Sequence, residues 1–223
     1  MHIAAIKATV IAGAALAGLG FWAALGATSP ASPSLHAAND GAKVGNDPGG
    51  LFDGGPLKPH AGNELAAFSG GCFWGTERLY RHVKGVVATA VGYTGGTVDH
   101  PTYEQVCTHT TGHAETVLIE FNPKVVSYLE LVKTFWENHD PTTPDRQGPD
   151  EGNNYRSAIW TFNPEQLREA LASKARRQKL EDAPITTQIA PIGTFWPAEE
   201  YHQQYDEKTG NNTCPIPNRR KGG

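Results

Sequence analysis

The chain has 223 residues, a formal charge of −4 and 39% hydrophobic content, enough for one globular domain with appendages and too long for a disulfide-stapled mini-domain. Its basic residues are scattered, with Arg219-Arg220-Lys221 the nearest approach to a cluster, so the charge pattern carries no nucleic-acid footprint. Three cysteines (Cys72, Cys107, Cys214) at wide, irregular spacing fit neither a zinc site nor a disulfide framework, and the odd count leaves one thiol free or one pair transient.

The N-terminus reads apart from the rest. Residues 1–7 carry one lysine, residues 8–27 are apolar and small, and Leu35-His36-Ala37 resembles a cleavage site. Residues 1–37 are therefore expected to be an export signal or an uncleaved membrane anchor, and either places the functional domain outside the cytoplasm, in the periplasm or facing it. No cysteine follows the apolar run, which excludes a lipoprotein anchor. Residues 38–63, rich in Gly, Pro, Ala and Asp, read as a flexible linker, with the catalytic domain expected over 64–223.

Within that domain an apolar run at 65–68 reads as a short strand, Gly70-Gly71 as a tight turn and the periodic residues 73–80 as a helix. Cys72 then stands at a helix N-terminus, where unpaired amides and the macrodipole favour a thiolate, with Phe73 and Trp74 as an apolar wall. A β-branched run at 86–93 is the next strand, closed by Thr94-Gly95-Gly96. A short helical turn follows through 101–107, and residues 113–121 alternate as a strand. That strand puts His113, Glu115, Val117, Ile119 and Phe121 on one face and Ala114, Thr116, Leu118 and Glu120 on the other.

Ser127-Tyr128-Leu129-Glu130 is a capping box that opens a helix with Leu129, Val132, Phe135 and Trp136 as its apolar stripe. A polar loop leads to a strand at 155–162, and Asn163-Pro164 starts a helix with Leu167, Ala170, Leu171 and Ala175 on one face. A fifth strand at 185–190, a short helix at 198–205 and an irregular tail complete the chain. The order strand-helix-strand-strand-helix-strand over 65–162 is the split βαβ arrangement of ferredoxin-like folds. The fold class is thus α+β (α/β), with a mixed sheet, helices packed on it and a long irregular C-terminal tail.

Several residues are candidates for chemistry. Glu115 shares its strand face with Val117, Ile119 and Phe121, and a carboxyl desolvated there can stay protonated near neutral pH and serve as a general acid. Tyr93 at a strand end and Tyr155 at a strand start can point hydroxyls into a shared cleft. Asp150, in the long loop after Gln147-Gly148, is a site or turn residue. His113 or His139 beside Cys72 would make a Cys-His nucleophile for acyl transfer or proteolysis. His109 and His113 lack a third metal ligand, so no metal site is expected. Cys214 lies in a polar, turn-prone tail from which a thiol can reach an oxidised cysteine, whereas Cys107 reads as a structural thiol.

Taken together, six ordered blocks resemble the A-type peptide methionine sulfoxide reductases. They are Gly71-Cys72-Phe73-Trp74-Gly75-Thr76-Glu77-Arg78, Gly92-Tyr93-Thr94-Gly95-Gly96, Pro101-Thr102-Tyr103, Gly112-His113-Ala114-Glu115, Phe135-Trp136-Glu137-Asn138-His139-Asp140-Pro141 and Tyr155-Arg156-Ser157. The resemblance implies reduction of methionine-S-sulfoxide, free or in proteins. Cys72 would attack sulfur, Glu115 protonate oxygen, Tyr93 and Tyr155 hold that oxygen, Asp150 organise the site, and Phe73 with Trp74 receive the substrate methyl. It also implies a Cys72 sulfenic acid resolved by Cys214. The resulting disulfide would be reduced by an external thioredoxin-like dithiol in a monomeric enzyme without metal or organic cofactor. Two departures stand out: Pro149 precedes Asp150 where the family commonly has Asn, and Asn153-Asn154 replaces the usual Thr-Gln before Tyr155.

Overall fold

The computed structural model describes residues 44–212 and Cys214. The expected export segment and residues 38–43 lie outside the described residues, as does the end of the tail. In chain order the elements are β1 (Glu64–Gly70), α1 (Phe73–Arg81), β2 (Val86–Thr94), α2 (Tyr103–Val106), β3 (Ala114–Phe121), α3 (Tyr128–Glu137), β4 (Arg146–Gln147), β5 (Asp150–Glu151), β6 (Ser157–Thr161), α4 (Pro164–Gln178), β7 (Gln188–Pro191), β8 (Trp196–Pro197) and α5 (Tyr205–Thr209). One sheet runs β7-β6-β1-β3-β2-β8, and β4 pairs with β5 in a separate hairpin. All sheet pairings are antiparallel except β6 with β7. Its four central strands carry the expected split βαβ order, and the parallel β7 makes the sheet mixed.

The alternation in β3 decides the two layers. Val117, Ile119 and Phe121 join Phe68, Phe73, Tyr80, Leu131 and Phe135 in the core under α1 and α3. Ala114 and Leu118 face the other way, with Ala67, Trp160 and Phe195. Phe68 stacks on Tyr80, Tyr128 and Phe135 with centroids 5.1, 6.3 and 5.4 Å apart, so β1 anchors both helices. Burial of each such side chain contributes on the order of 1.5–3 kcal/mol.

The capping box at Ser127 forms in both directions. Its helix is rotated from the expected stripe: Leu131 is buried and Leu129 is 39% exposed, because Tyr128 and Leu131 flank Phe135 on the sheet side. In α4 the buried positions are Gln166, Ala170 and Ser173, while Leu171 faces solvent. The polar Gln166 is tolerated inside because its amide donates to the Leu65 carbonyl and accepts from the Phe162 amide. The predicted helix at 198–205 divides into a 3-10 turn at Glu200–His202 and α5, with Gln204 between them in the left-handed region at φ 51°.

The expectation of a flexible linker fails for residues 44–63. Gly45 bridges to β2 beside Ala88, Arg81 donates to the Val44 and Gly45 carbonyls, and Leu51 and Leu57 pack on the second face of the sheet. Glu120, projecting from that face of β3 with a fully buried side chain, accepts from the amides of Gly49 and His60, from His60 Nδ1 and from Asn63 Nδ2. Desolvation pushes this carboxyl up, but the Asn63, Gly49 and His60 donors outweigh it and hold Glu120 below its ordinary pKa. Composition misled because a glycine-rich strap can be fixed by backbone donors to one acceptor, without apolar periodicity of its own.

Candidate functional site

Gly71 and Cys72 make the junction between β1 and α1. Gly71 takes φ 93°, and a Cβ there would fall 2.5 Å from Gln147 Cγ, so glycine is required for the turn and for the approach of the β4–β5 hairpin. Cys72 is the N-cap residue of α1, as the sequence predicted. The first orphan amide of that helix, on Phe73, donates to Glu115 Oε2 at 3.0 Å. Glu115 is therefore drawn to the same helix terminus as the cysteine.

Glu115 is 2% exposed. Burial pushes its carboxyl up to about 8, against the pull of the Phe73 amide and the Asn154 side chain, and the nearby Asp150 charge adds to the rise. It is mostly neutral at pH 7, the state a general acid needs. Asn154, one of the departures from the family pattern, is wholly buried and donates to Glu115 Oε1 at 3.4 Å. His109 Nδ1 stands 2.7 Å from Asn154 Oδ1, so a His109–Asn154 pair orients the carboxyl.

Tyr155 closes the 3-10 turn just before β6 rather than starting the strand. Burial and the Glu115 charge push its hydroxyl up to about 12, so it is an O–H donor across the ordinary pH range. Tyr93 pairs with Glu115 across β2 and β3, packs its ring 5.9 Å from Phe73, and donates its hydroxyl to Glu199 Oε2 at 3.0 Å. The other Glu199 oxygen accepts from the Tyr103 amide at 2.9 Å. Glu199 thus links Tyr93 to the first turn of α2, and the Tyr103 hydroxyl is held protonated by burial, by a hydrogen bond with Cys107 and by the Glu115 charge. Sequence reasoning passed over Tyr103 although it closed one of the quoted blocks, Pro101-Thr102-Tyr103. The usable signal was the capping box of Thr102 and Gln105, which fixes the first turn of α2. Cys107, read as structural, lies against Tyr103; burial raises its thiol above the ordinary value.

Phe73 is buried behind the cysteine, while Trp74 is half-buried and stacks on Tyr205 with centroids 3.9 Å apart. Trp74 Nε1 donates to His202 Nδ1 at 3.1 Å, and the His202 ring lies 5.1 Å from Phe73 and 4.4 Å from Tyr103. The wall beside Cys72 is therefore aromatic and rigidly keyed.

On the other flank the hairpin brings Asp150 to a small cavity of about 40 Å³ that Cys72, Gly75, His139, Gln147 and Cys214 also line. Desolvation raises the Asp150 carboxyl above its ordinary value. Pro149 fits because the two-residue turn needs the left-handed conformation only at Gly148, at φ 58°, and a fixed φ near −65° suits the next position. Gln147 locks the hairpin by accepting from the Asp140 amide and donating to its carbonyl.

Cys72 and Cys214 form a disulfide with Cα atoms 6.5 Å apart, across 142 residues of sequence. The histidines of the Cys-His alternative are engaged elsewhere. His113 Nε2 meets the Val98 carbonyl and its Nδ1 accepts from the Gly96 amide, whereas His139 is bonded to the Phe135 carbonyl and to Ser157 Oγ. Among the described residues no group of three His, Cys, Asp or Glu is placed to hold a metal ion.

Comparison with known proteins adds a family to this geometry. A family model described as peptide methionine sulfoxide reductase matches residues 64–222. The peptide methionine sulfoxide reductase MsrA of Methanoculleus marisnigri is 54% identical over 160 residues, covering 71% of this chain and 98% of that protein. The MsrA of Methanosarcina acetivorans is 58% identical over 154 residues, covering 68% and 82%. Among solved structures, methionine sulfoxide reductase A of Corynebacterium diphtheriae superposes with a TM-score of 0.64 at 35% identity, covering 82% of this chain and 94% of its own. Reduced Mxr1 from Saccharomyces cerevisiae gives 0.67 at 36% identity, covering 70% and 91%.

Proposed function

This chain belongs to the peptide methionine sulfoxide reductase family, and from that premise we propose how its residues carry out the reduction of methionine sulfoxide to methionine. The reading rests above all on one juxtaposition: a cysteine at a helix N-terminus, bonded to a second cysteine, beside a buried carboxyl that is neutral at pH 7.

A sulfoxide sulfur accepts a nucleophile poorly until its oxygen is protonated. With the disulfide reduced, the Cys72 thiolate attacks that sulfur while Glu115 delivers its proton to the oxygen. Tyr103 and Tyr155 donate to the oxygen as charge shifts onto it. Tyr93 holds α2 through Glu199, and Asp150 closes the cysteine's other flank. The methyl group rests on Trp74 and Phe73. Methionine leaves with the former sulfoxide sulfur reduced, and Cys72 keeps the oxygen as a sulfenic acid. Cys214 then forms the disulfide present in the structure, and an external dithiol of the thioredoxin type returns both thiols without any prosthetic group.

The substrate is the S epimer, as the family resemblance implies, free or in oxidised proteins. Residues 1–37 support an exported enzyme that repairs envelope or periplasmic proteins, reached through a signal or an anchor. The enzyme is taken to act as a monomer, as the family resemblance implies. Thiol counting by mass spectrometry tests the reaction: one turnover on dabsyl-methionine-S-sulfoxide without reductant should yield one methionine and convert two of three thiols to the Cys72–Cys214 disulfide. Survival of all three thiols with the sulfoxide untouched would sink the reading, and an acyl adduct on Cys72 would favour the Cys-His alternative. Cell fractionation tests export: enzyme retained in the cytoplasm despite an intact N-terminus would overturn it.

A further inference from the structure

We propose that Arg78 is the positioning residue that seats the Cys214 tail on α1, and so sets the rate at which the Cys72 sulfenic acid is resolved. The proposal rests on the reductase reading above and concerns only the step after methionine release.

The tail lies along one face of α1. A Cβ on Gly75 would stand 3.0 Å from both the Cβ and the carbonyl oxygen of Cys214, so Cys214 rests directly on bare helix backbone. Arg78 is three residues further on, hence on the same face one turn along. Its Nη1 donates to Asp206 Oδ2 at 2.5 Å and to Asn212 Oδ1 at 2.9 Å, and its Nη2 donates to the Cys214 carbonyl at 3.1 Å. One guanidinium therefore ties α5, the middle of the tail and the resolving cysteine itself to the helix that carries the nucleophile. Arg81 and Glu77 fix α5 to the same helix, through Glu207 and through the Gln204 amide, but neither of these bonds extends beyond residue 207. Past Gly210, which ends α5 in the left-handed region at φ 69°, Arg78 supplies the hydrogen bonds that the described residues show from α1 to the tail.

The chemistry needs such a clasp. In the resolving step the Cys214 sulfur attacks the sulfenic sulfur of Cys72: the S–S bond forms, the S–O bond breaks, and the sulfenic hydroxyl leaves with the thiol proton as water. No oxidant beyond the sulfenic acid is consumed. Because the attacking group sits on a tail, its rate follows the effective concentration of Cys214 at Cys72, which falls when the tether is loosened. A planar fork with several fixed donors can hold three acceptors at once, which an ammonium on a flexible stem does poorly.

The test is a single turnover of the full reduced chain on dabsyl-methionine-S-sulfoxide, following methionine release by chromatography and disulfide formation by quenched thiol mass spectrometry. Wild type, Arg78→Gln, Arg78→Lys and Asn212→Ala are compared. Arg78→Gln is expected to release methionine at the wild-type rate while disulfide formation slows at least tenfold and the dimedone adduct of Cys72 accumulates. Arg78→Lys should recover part of that loss. Asn212→Ala, at an exposed position that leaves the fold intact, should slow disulfide formation a few-fold with no change in methionine release. Disulfide formation at the wild-type rate in Arg78→Gln would overturn the proposal, and so would a loss of methionine release equal to the loss of disulfide. Failure of the wild type itself to release methionine would instead count against the reductase reading.

Discussion

Replacing Glu115 by glutamine should pull the chemistry and the stability of this protein in opposite directions. The carboxyl titrates near 8 instead of the ordinary 4.5 because burial penalises its ion more than the Phe73 and Asn154 donors favour it. A raised folded pKa means that the native state binds the proton more tightly than the unfolded chain. Stability from this group is therefore full below pH 4.5 and declines as pH rises through about 8, by on the order of 5 kcal/mol in total at about 1.36 kcal/mol per pH unit. Glutamine keeps a carbonyl oxygen for the Phe73 amide but cannot ionise. Urea unfolding of the oxidised proteins at pH 5, 7 and 9 should show the variant gaining on wild type with pH, by several kcal/mol between the extremes. In reduced enzyme the same change should slow methionine release about 10²- to 10⁴-fold, the usual span for loss of a general acid, while Cys72 still reacts with iodoacetamide. Wild-type release should itself fall above pH 8 as the carboxyl ionises. A variant with full activity, or a stability difference that is flat with pH, would refute the argument.

The other expectations are more local. Cys72→Ser should abolish methionine formation, whereas Cys214→Ser should yield one methionine per enzyme and stall; equal multiple-turnover rates for Cys214→Ser and wild type with thioredoxin would remove Cys214 from the cycle. Tyr103→Phe removes a donor aimed at the developing oxygen charge and should lower the rate of methionine release about 10²-fold. Tyr93→Phe should lower stability by about 2 kcal/mol, the loss of a hydrogen bond to a charged group, with a smaller kinetic effect; the reverse ranking of the two variants in stopped-flow assays would restore Tyr93 as the direct contact. Glu120→Gln should cost about 2 kcal/mol and open residues 44–63 to limited proteolysis, since four donors lose their charged acceptor. Because the Glu120 pKa is lowered by folding, its contribution is present above the unfolded value and is lost as pH falls through the folded one, so the difference between variant and wild type should shrink in acid.

Much of this protein was legible because its signals are local. Period-two alternation put Glu115 on the apolar side of β3, a glycine pair and a periodic run put Cys72 at the head of α1, and the Ser127 box opened α3. These features depend on residues a few positions apart, and the backbone geometry of strand and helix turns them into faces and termini. The split βαβ order followed from the sequence of elements. Pairing of Cys72 with Cys214 and the roles of Asp150 and Tyr155 came through family resemblance; the structure bonds Cys214 to Cys72, lines the same cavity with Asp150 and brings the Tyr155 hydroxyl within reach of the Glu115 charge.

What the tertiary structure alone decided was which of several equivalent polar groups meet. Tyr93 and Tyr103 both precede the right strand, yet only Glu199, about a hundred residues later, takes the Tyr93 hydroxyl on one oxygen and the Tyr103 backbone amide on the other. Residues 44–63 look like linker until a buried Glu120 gathers their donors, and Asn154 looks like a departure until it reaches Glu115 from behind. A buried charge or hydroxyl takes its properties from whatever desolvates it and bonds to it, and those neighbours come from distant parts of the chain. The sequence determined the nucleophile, its helix and the acid's strand face, because these are properties of short segments. The fold decided the protonation of Glu115, the partners of the two tyrosines and the seating of the tail, because these are properties of a shared, water-excluded space.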